Sequence, residues 1–438
     1  MKYGLIVWLL ALLVAPAAAQ ETLDCAARVR LLVETARLAC AATSLNEACY
    51  GGGPAGLSGR EGAEAMRFIA PGDKVPLGAI ETLRVGADEE ADGWGVALLR
   101  LRANLPDGAV ALLAVGDVEL TNLSDKGTDY VGLPVTVRER TGANVRLRPA
   151  PDAAIIAQLP TGQTLLADGR LADGTWVRLL SGGWVAAALL RPDDRLAALE
   201  VTAAADYPLA DRTAYAPMQR VRFRSAPAAD CPDEASGLIF QTPDGSSAVT
   251  VSVNGVDMPI TGTVWFRSGD GDSTVAAVLE GAATYQGALL SVGQQVEYAY
   301  SGREIQQLAP PADYAYFQAR RLPLTLLPRP VELPFSLGGV VFPYAAGTGF
   351  LNSIPAEAAC TAAWAVDVNL RAGPGREYPI RRGVPGGYYG RPEARAQGTD
   401  GQLWWRLAEG IWVQAANTAA AGACGSLPLV EPPPIPAR

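Results

Sequence analysis

Two stretches of this chain, over residues 136–192 and 359–425, repeat one order of residues, and this repetition restricts the fold more than any other feature. The first passes from an alternating Val135-Thr-Val-Arg-Glu through Ala143-Asn-Val-Arg-Leu-Arg-Pro-Ala-Pro and Ile155-Ile-Ala-Gln-Leu-Pro-Thr-Gly. It ends in Trp176-Val-Arg-Leu and Gly182-Gly183-Trp184-Val185. The second has Val368-Asn-Leu-Arg-Ala-Gly-Pro-Gly, then Trp404-Trp-Arg-Leu and Gly410-Ile-Trp412-Val413. In both, two tryptophans stand eight residues apart. Short apolar alternation broken by Gly and Pro predicts hairpin-linked strands. Matched internal spacing predicts a duplicated unit. Setting Val145-Arg-Leu-Arg-Pro against Val368-Asn-Leu-Arg-Ala aligns Arg371 with Arg148 and Pro374 with Pro151. The second copy then holds about five extra residues between its Arg and its first Trp, around Gly386-Gly387-Tyr388-Tyr389.

The N-x-R-x-x-P-type opening, the P-x-G-x turn and the W-x-x-V hairpin ending in G-W-V resemble the bacterial SH3-like (SH3b) family. The resemblance covers roughly a quarter of the chain. It implies two small barrels that recognise cell-wall peptides or glycan-linked peptides, with avidity from their linkage. Aromatic rings beside backbone donors suit peptide and sugar faces. On that basis the binding candidates are Tyr388, Tyr389, Trp404 and Trp405, with Trp176 in the first module. Trp184 and Trp412 are expected to fill the two cores.

Between the modules, about 207–305 reads as a β-rich unit. Asn254-Gly255, between the apolar runs Ser247–Val253 and Val256–Ile260, predicts a hairpin with a type I′ turn. Thr263–Phe266, Thr274–Leu279, Ala283–Val292 and Gln295–Tyr300 extend the pattern. The stretch Val251-Ser-Val-Asn-Gly-Val…Gly262-Thr-Val…Leu279-Glu-Gly-Ala…Ser291-Val-Gly-Gln resembles a FecR-type β domain, whose bacterial members sense or structure the envelope. Asp270-Gly-Asp272 lacks the ligand spacing of a calcium loop and reads as a hairpin turn.

At the N-terminal side, residues 22–43 read as a helix, with Thr22 and Asp24 at its start. Cys25 and Cys40 lie near opposite ends of it, too far apart along a straight helix to bridge each other. Gly51-Gly52-Gly53 is expected to end that element as a loop. Short strands then follow at Val75–Leu77, Ile80–Val85, Gly95–Arg102, Val110–Val115 and Val118–Leu123, with Gly116-Asp117 as a turn. Residues 20–135 thus form an α+β region. Residues 306–358 are expected to be a Pro-rich connector, extended over 306–335. The tail 426–438 is expected to be disordered or polyproline-like. The fold class that results is mainly β and multidomain: two small SH3-like barrels, a β-sandwich-like middle domain and an N-terminal α+β region.

Met1-Lys2, an apolar run over 4–15 and Ala17-Ala-Ala19 have the anatomy of a secretory signal peptide over residues 1–19. The run is short for a membrane span. All six cysteines follow it, which predicts disulfides in an extracytoplasmic compartment, the bacterial cell envelope. Cys360 and Cys424 bracket the second module and suit a bridge. Cys25, Cys40, Cys49 and Cys231 share two further bridges if all pair within the chain. Their connectivity stays open, with Cys40–Cys49 and Cys25–Cys231 as the choice.

The net charge is −9 with scattered charges, which argues against nucleic acid as a partner. The chain has no histidine. Ser-His-Asp and Cys-His catalysis and His-ligated metal sites are therefore absent, and no cofactor is expected. The expected function is non-catalytic binding to peptidoglycan or another cell-surface ligand, with no membrane span after signal cleavage. A surface scaffold or adhesion protein is the alternative. An envelope hydrolase is disfavoured by the missing histidine.

Overall fold

A computed structural model describes residues 24–61, 66–88, 91–103, 105, 108–124, 132–180, 183–202, 215–246, 248–300, 304–345 and 347–436. The expected signal peptide over 1–19 lies outside them. The chain is mainly β and multidomain, built from several sheets.

The largest sheet has 14 strands and takes them from both the N-terminal region and the middle segment, which the sequence reading kept apart. The joining element is one long strand, Val110–Asn122. Its first half pairs with Gly237–Gln241 and its second half with Arg220–Ala226. The strand Val256–Ser268 behaves in the same way, pairing first with Val249–Val253 and then with 237–241. A short parallel pairing of 220–221 with 252–253 completes a closed hydrogen-bonded circuit of five strands.

Each long strand changes neighbour at a glycine with positive φ, Gly116 at 81° and Gly262 at 92°. A Cβ at Gly262 would lie 2.4 Å from the Glu280 carbonyl oxygen, so only glycine fits there. Gly116-Asp117 was expected to be a turn. It is instead a bend inside a continuous strand, because both halves keep ladder partners.

Alternation sends the two faces of these strands into different cores. Leu112, Leu238, Phe240, Val264, Phe266 and Val278 belong to one buried cluster. Leu113, Ile239, Trp265 and Leu279 belong to another on the opposite face.

The N-terminal helix, Cys25–Ala39, packs on this second face through Val29 and Ala36. Asp24 caps it, its side chain accepting the Ala27 N–H at 2.7 Å. The glycine-rich loop expected after the helix is instead the strand Glu47–Gly52, paired with Gly95–Leu101. Asn254 and Gly255 both have positive φ, as a type I′ hairpin requires. The three disulfides are Cys25–Cys231, Cys40–Cys49 and Cys360–Cys424, the pairing chosen from the sequence.

The connector after residue 305 is not a solvated linker. Its first part is the strand Ile305–Asp313, paired with Gln294–Tyr300. Tyr314, Tyr316, Phe335 and Phe342 then bury themselves between the sheet face and the second module. Arg329 anchors this stretch to the sheet through a two-pronged contact with Glu280 at 2.6 and 3.0 Å. The prolines break regular structure here, but the aromatics between them have too much apolar surface to stay in water.

Both repeat units fold into their own sheets, separate from each other and from the 14-stranded one. Their tryptophan hairpins share one register: Arg178 lies opposite Trp184, and Arg406 opposite Trp412. Trp184 and Trp412 are buried.

Ahead of the hairpins the strand register differs from the expected alignment. Arg146 pairs with Trp184 and Ile155, and Arg371 pairs with Trp412 and Ile380. The counterpart of Arg371 is therefore Arg146, not Arg148, and Pro374 matches Pro149. A strand repeats its faces every two residues, so a two-residue slip leaves the apolar pattern unchanged and invisible in sequence. With that register the second module has three extra residues, not five, before its first tryptophan. The two arginines also do the same work. Arg146 Nη1 donates to the Ala153 carbonyl at 2.6 Å, and Arg371 Nη1 to the Tyr378 carbonyl at 2.7 Å. Each braces the loop between its first two hairpin strands.

The proline-rich tail, expected to be disordered or polyproline-like, is extended and docked. Residues 428–430 run parallel to the strand Ala394–Gln397, with Arg395 N–H donating to the Pro428 carbonyl and Val430 N–H to the Arg395 carbonyl, both at 2.9 Å.

Candidate functional site

The aromatic candidates do not form a common surface. Tyr388 is 4% exposed, Trp404 2% and Trp405 7%. Tyr388 packs edge-on against Tyr316, Phe335 and Tyr344. Its hydroxyl donates to the Leu333 carbonyl at 3.0 Å and lies 2.6 Å from the Tyr316 hydroxyl. Burial and that neighbouring hydroxyl push its ionisation far above the ordinary tyrosine range. Trp405 Nε1 donates to Thr418 Oγ1 at 3.2 Å. Trp404 stacks into a small cluster with Ala396 and Trp412, lidded by Val430. Tyr388 and Trp405 therefore pack the second module and are corrected from ligand-contacting to core residues, while Trp404 is covered by the tail through Val430. The reason is the connector and the tail, which cover faces that an isolated module would leave open. Trp176 and Tyr389 are half-buried and sit on different modules, Tyr389 against the Phe350 ring at 4.9 Å.

A different surface has the features of a binding site. On the strand Arg220–Ala226, Val221 and Phe223 point into the core, so Arg220, Arg222 and Arg224 share the outer face. Neighbouring strands extend the row. Arg224 stands opposite Glu119, which stands opposite Arg84 on its other side. Arg222 stands opposite Thr121. These side chains line an open cleft of about 650 Å³, closed on its far side by Asn254, Gly255, Ser273 and Tyr300.

The cleft wall is held firmly. Asn254 Oδ1 accepts the Phe223 N–H at 2.7 Å, while its amide donates to the Phe223 carbonyl at 2.9 Å and to Thr274 Oγ1 at 2.8 Å. The hairpin turn is thus fixed to the arginine strand by both ends of one side chain.

The charge of the cleft opposes that of the chain. Four arginines face two carboxylates, Glu119 and Asp272, in a protein of net charge −9. Arg84 is paired with Glu119 at 3.1 Å. Among the described residues, Arg222 and Arg224 have no ion-pair partner. The Arg220 guanidinium lies 5.6 Å from the Tyr215 ring centroid, and its buried Nε has no acceptor among the described residues. Guanidiniums two residues apart on a strand are spaced by about 7 Å, which suits successive carboxylates or phosphates on an extended ligand.

No local sequence pattern announces this site as a whole. Part of it is present as Arg220-Val-Arg-Phe-Arg224, a charged–apolar alternation, but Arg84 and Glu119 reach it only through long-range pairing. Among the described residues no group of Cys, Asp and Glu is placed to hold a metal ion. Asp270-Gly-Asp272 is a turn between two paired strands, as expected.

No protein-family model matches this chain, and no curated protein or solved structure does either.

Proposed function

We propose that this chain is a non-catalytic binding protein of the bacterial envelope, with two SH3-like modules mounted on a disulfide-tied β body. Its ligand-bearing surface is the arginine cleft, which takes the carboxylates of a cell-wall peptide or glycan. The observation that supports this most is the row Arg220, Arg222 and Arg224, with Arg222 and Arg224 in no ion pair among the described residues, in an otherwise acidic protein. Exposed guanidiniums outside ion pairs match carboxylates in geometry and charge. Three disulfides support an oxidising compartment. No described helix is long and apolar enough to cross a membrane.

Co-sedimentation of the purified full chain with bacterial cell walls tests the proposal. Retention is expected, weakening as salt is raised and lost on walls whose carboxyls have been amidated. The Arg222→Ala/Arg224→Ala variant is expected to bind about tenfold more weakly or worse, since a hydrogen bond to a charged group contributes roughly 1.5–3 kcal/mol. Equal retention of the double variant, or none by the wild type, overturns the assignment.

A further inference from the structure

In both modules the segment that follows the hairpin returns along the same strand edge. In the first, Glu200 and Val201 lie parallel to Gly169 and Arg170, and Thr202 N–H donates to the Arg170 carbonyl at 2.8 Å. In the second, Leu429 lies beside Arg395, and Val430 N–H donates to the Arg395 carbonyl at 2.9 Å. The two edges differ in how they hold that segment. The first is pinned by side chains: Arg178 Nη1 donates to Thr202 Oγ1 at 3.1 Å, and Arg170 donates twice to the Ala197 carbonyl at 3.0 and 3.2 Å. The second relies on two backbone bonds, on Val430 over Trp404 and Trp412, and on the Tyr378 hydroxyl, which donates to the Pro433 carbonyl. Pro432, Pro434, Ile435 and Pro436 stay exposed, and Leu429 is 70% exposed.

These contacts describe a receptor groove as much as a packed tail. An open strand edge takes backbone, a tryptophan pair takes one aliphatic side chain, and a tyrosine hydroxyl takes one carbonyl of a proline run. Proline-rich chain is already extended, so it loses little entropy on docking. It also cannot satisfy its own carbonyls, which leaves them for Tyr378.

We infer that the edge of the second module formed by Arg395, Tyr378, Trp404 and Trp412 is a docking groove for an extended proline-rich segment of another protein, and that residues 428–436 occupy it in cis and compete with that partner. The inference does not depend on the arginine cleft.

The test uses a synthetic peptide of residues 428–436 and a chain ending at Leu427, with tryptophan fluorescence and calorimetry as readouts. The truncated chain is expected to bind the peptide saturably, and the full chain at least about tenfold more weakly. Val430→Asp in the full chain keeps every other residue in place and removes the contact with Trp404 and Trp412. It is expected to release the tail and restore binding of the wild-type peptide. Tyr378→Phe in the truncated chain is expected to weaken binding several-fold, and a peptide with Pro432, Pro433 and Pro434 replaced by alanine likewise. If a truncated chain that keeps its three disulfides and its melting temperature does not bind, the inference fails. It fails also if the full chain binds equally well. Full-chain dimers that disappear on truncation would assign the groove to a second copy and overturn an outside partner.

Discussion

In the first module, the hairpin of Trp176 and Trp184 closes over a core of its own: Val137, Val145, Leu159, Val177, Val185 and Leu190. In the second, the equivalent frame has no separate main core. Leu370, Trp405, Leu407 and Val413 belong to the cluster that also contains the sheet face, the N-terminal helix and the connector. The strand pairing places Trp364 in the second module where the first has Val137. Trp364 packs against the Phe342 ring at 5.9 Å and donates from Nε1 to the Pro385 carbonyl at 3.0 Å. One frame therefore serves two situations. Small aliphatics make a module that closes on itself, and large aromatics at the same positions join it to its neighbours. This also explains why the ligand candidates Tyr388 and Trp405 turn out to be packing.

The largest expected effect comes from breaking that junction. Trp364→Ala is expected to cost about 3–5 kcal/mol, the usual range for a buried Trp truncation. It should lower hydrogen-exchange protection in both the second module and the sheet strands that face it. Val137→Ala is expected to cost about 2 kcal/mol and to act on 132–202 alone. Loss confined to the second module in Trp364→Ala would mean that the shared cluster is not one cooperative unit, and the contrast would dissolve.

The disulfides sharpen the same contrast. The Cys360–Cys424 bridge closes a loop of 64 residues, while the first module contains no cysteine. Replacing both cysteines by alanine is expected to cost about 3 kcal/mol, within the range usual for such loops. In the wild type, reductant should lower exchange protection over 359–425 and leave 132–202 as it was. Equal losses in both modules would show that the second has no special need of its crosslink.

Features that a few adjacent residues determine were legible in the sequence. Asn254-Gly255 dictates its turn through backbone angles alone, and both tryptophan hairpins follow from local alternation. Features set by distant partners were not. Gly116 is the same signal whether a chain turns back or a strand bends, and only the pairing with 220–226 and 237–241 decides between them. The connector's prolines suggested an extended segment, but not that burial of Tyr314, Tyr316, Phe335 and Phe342 holds it against the body. The arginine cleft needed a sheet that joins residues 84, 119 and 224, and no local pattern announces that.

The smallest expected effect tests the alignment of the modules themselves. Sequence alone set Arg148 beside Arg371, whereas the strand register sets Arg146 there. The two choices make opposite predictions. Arg146 is half-buried and holds the Ala153 carbonyl; Arg148 is exposed. Arg146→Ala leaves that carbonyl without its donor and is expected to cost about 1–3 kcal/mol. Arg371→Ala should cost a similar amount, since its guanidinium bonds two carbonyls, of Arg376 and Tyr378. Arg148→Ala should stay within about 0.5 kcal/mol of wild type, as exposed positions away from such contacts do. Denaturant melts of the three variants measure this directly. If Arg148→Ala proved as costly as Arg371→Ala while Arg146→Ala was silent, the two-residue correction would be wrong. The equivalence of Thr202 with Val430 at the shared strand edge would then have to stand on the hairpin register alone.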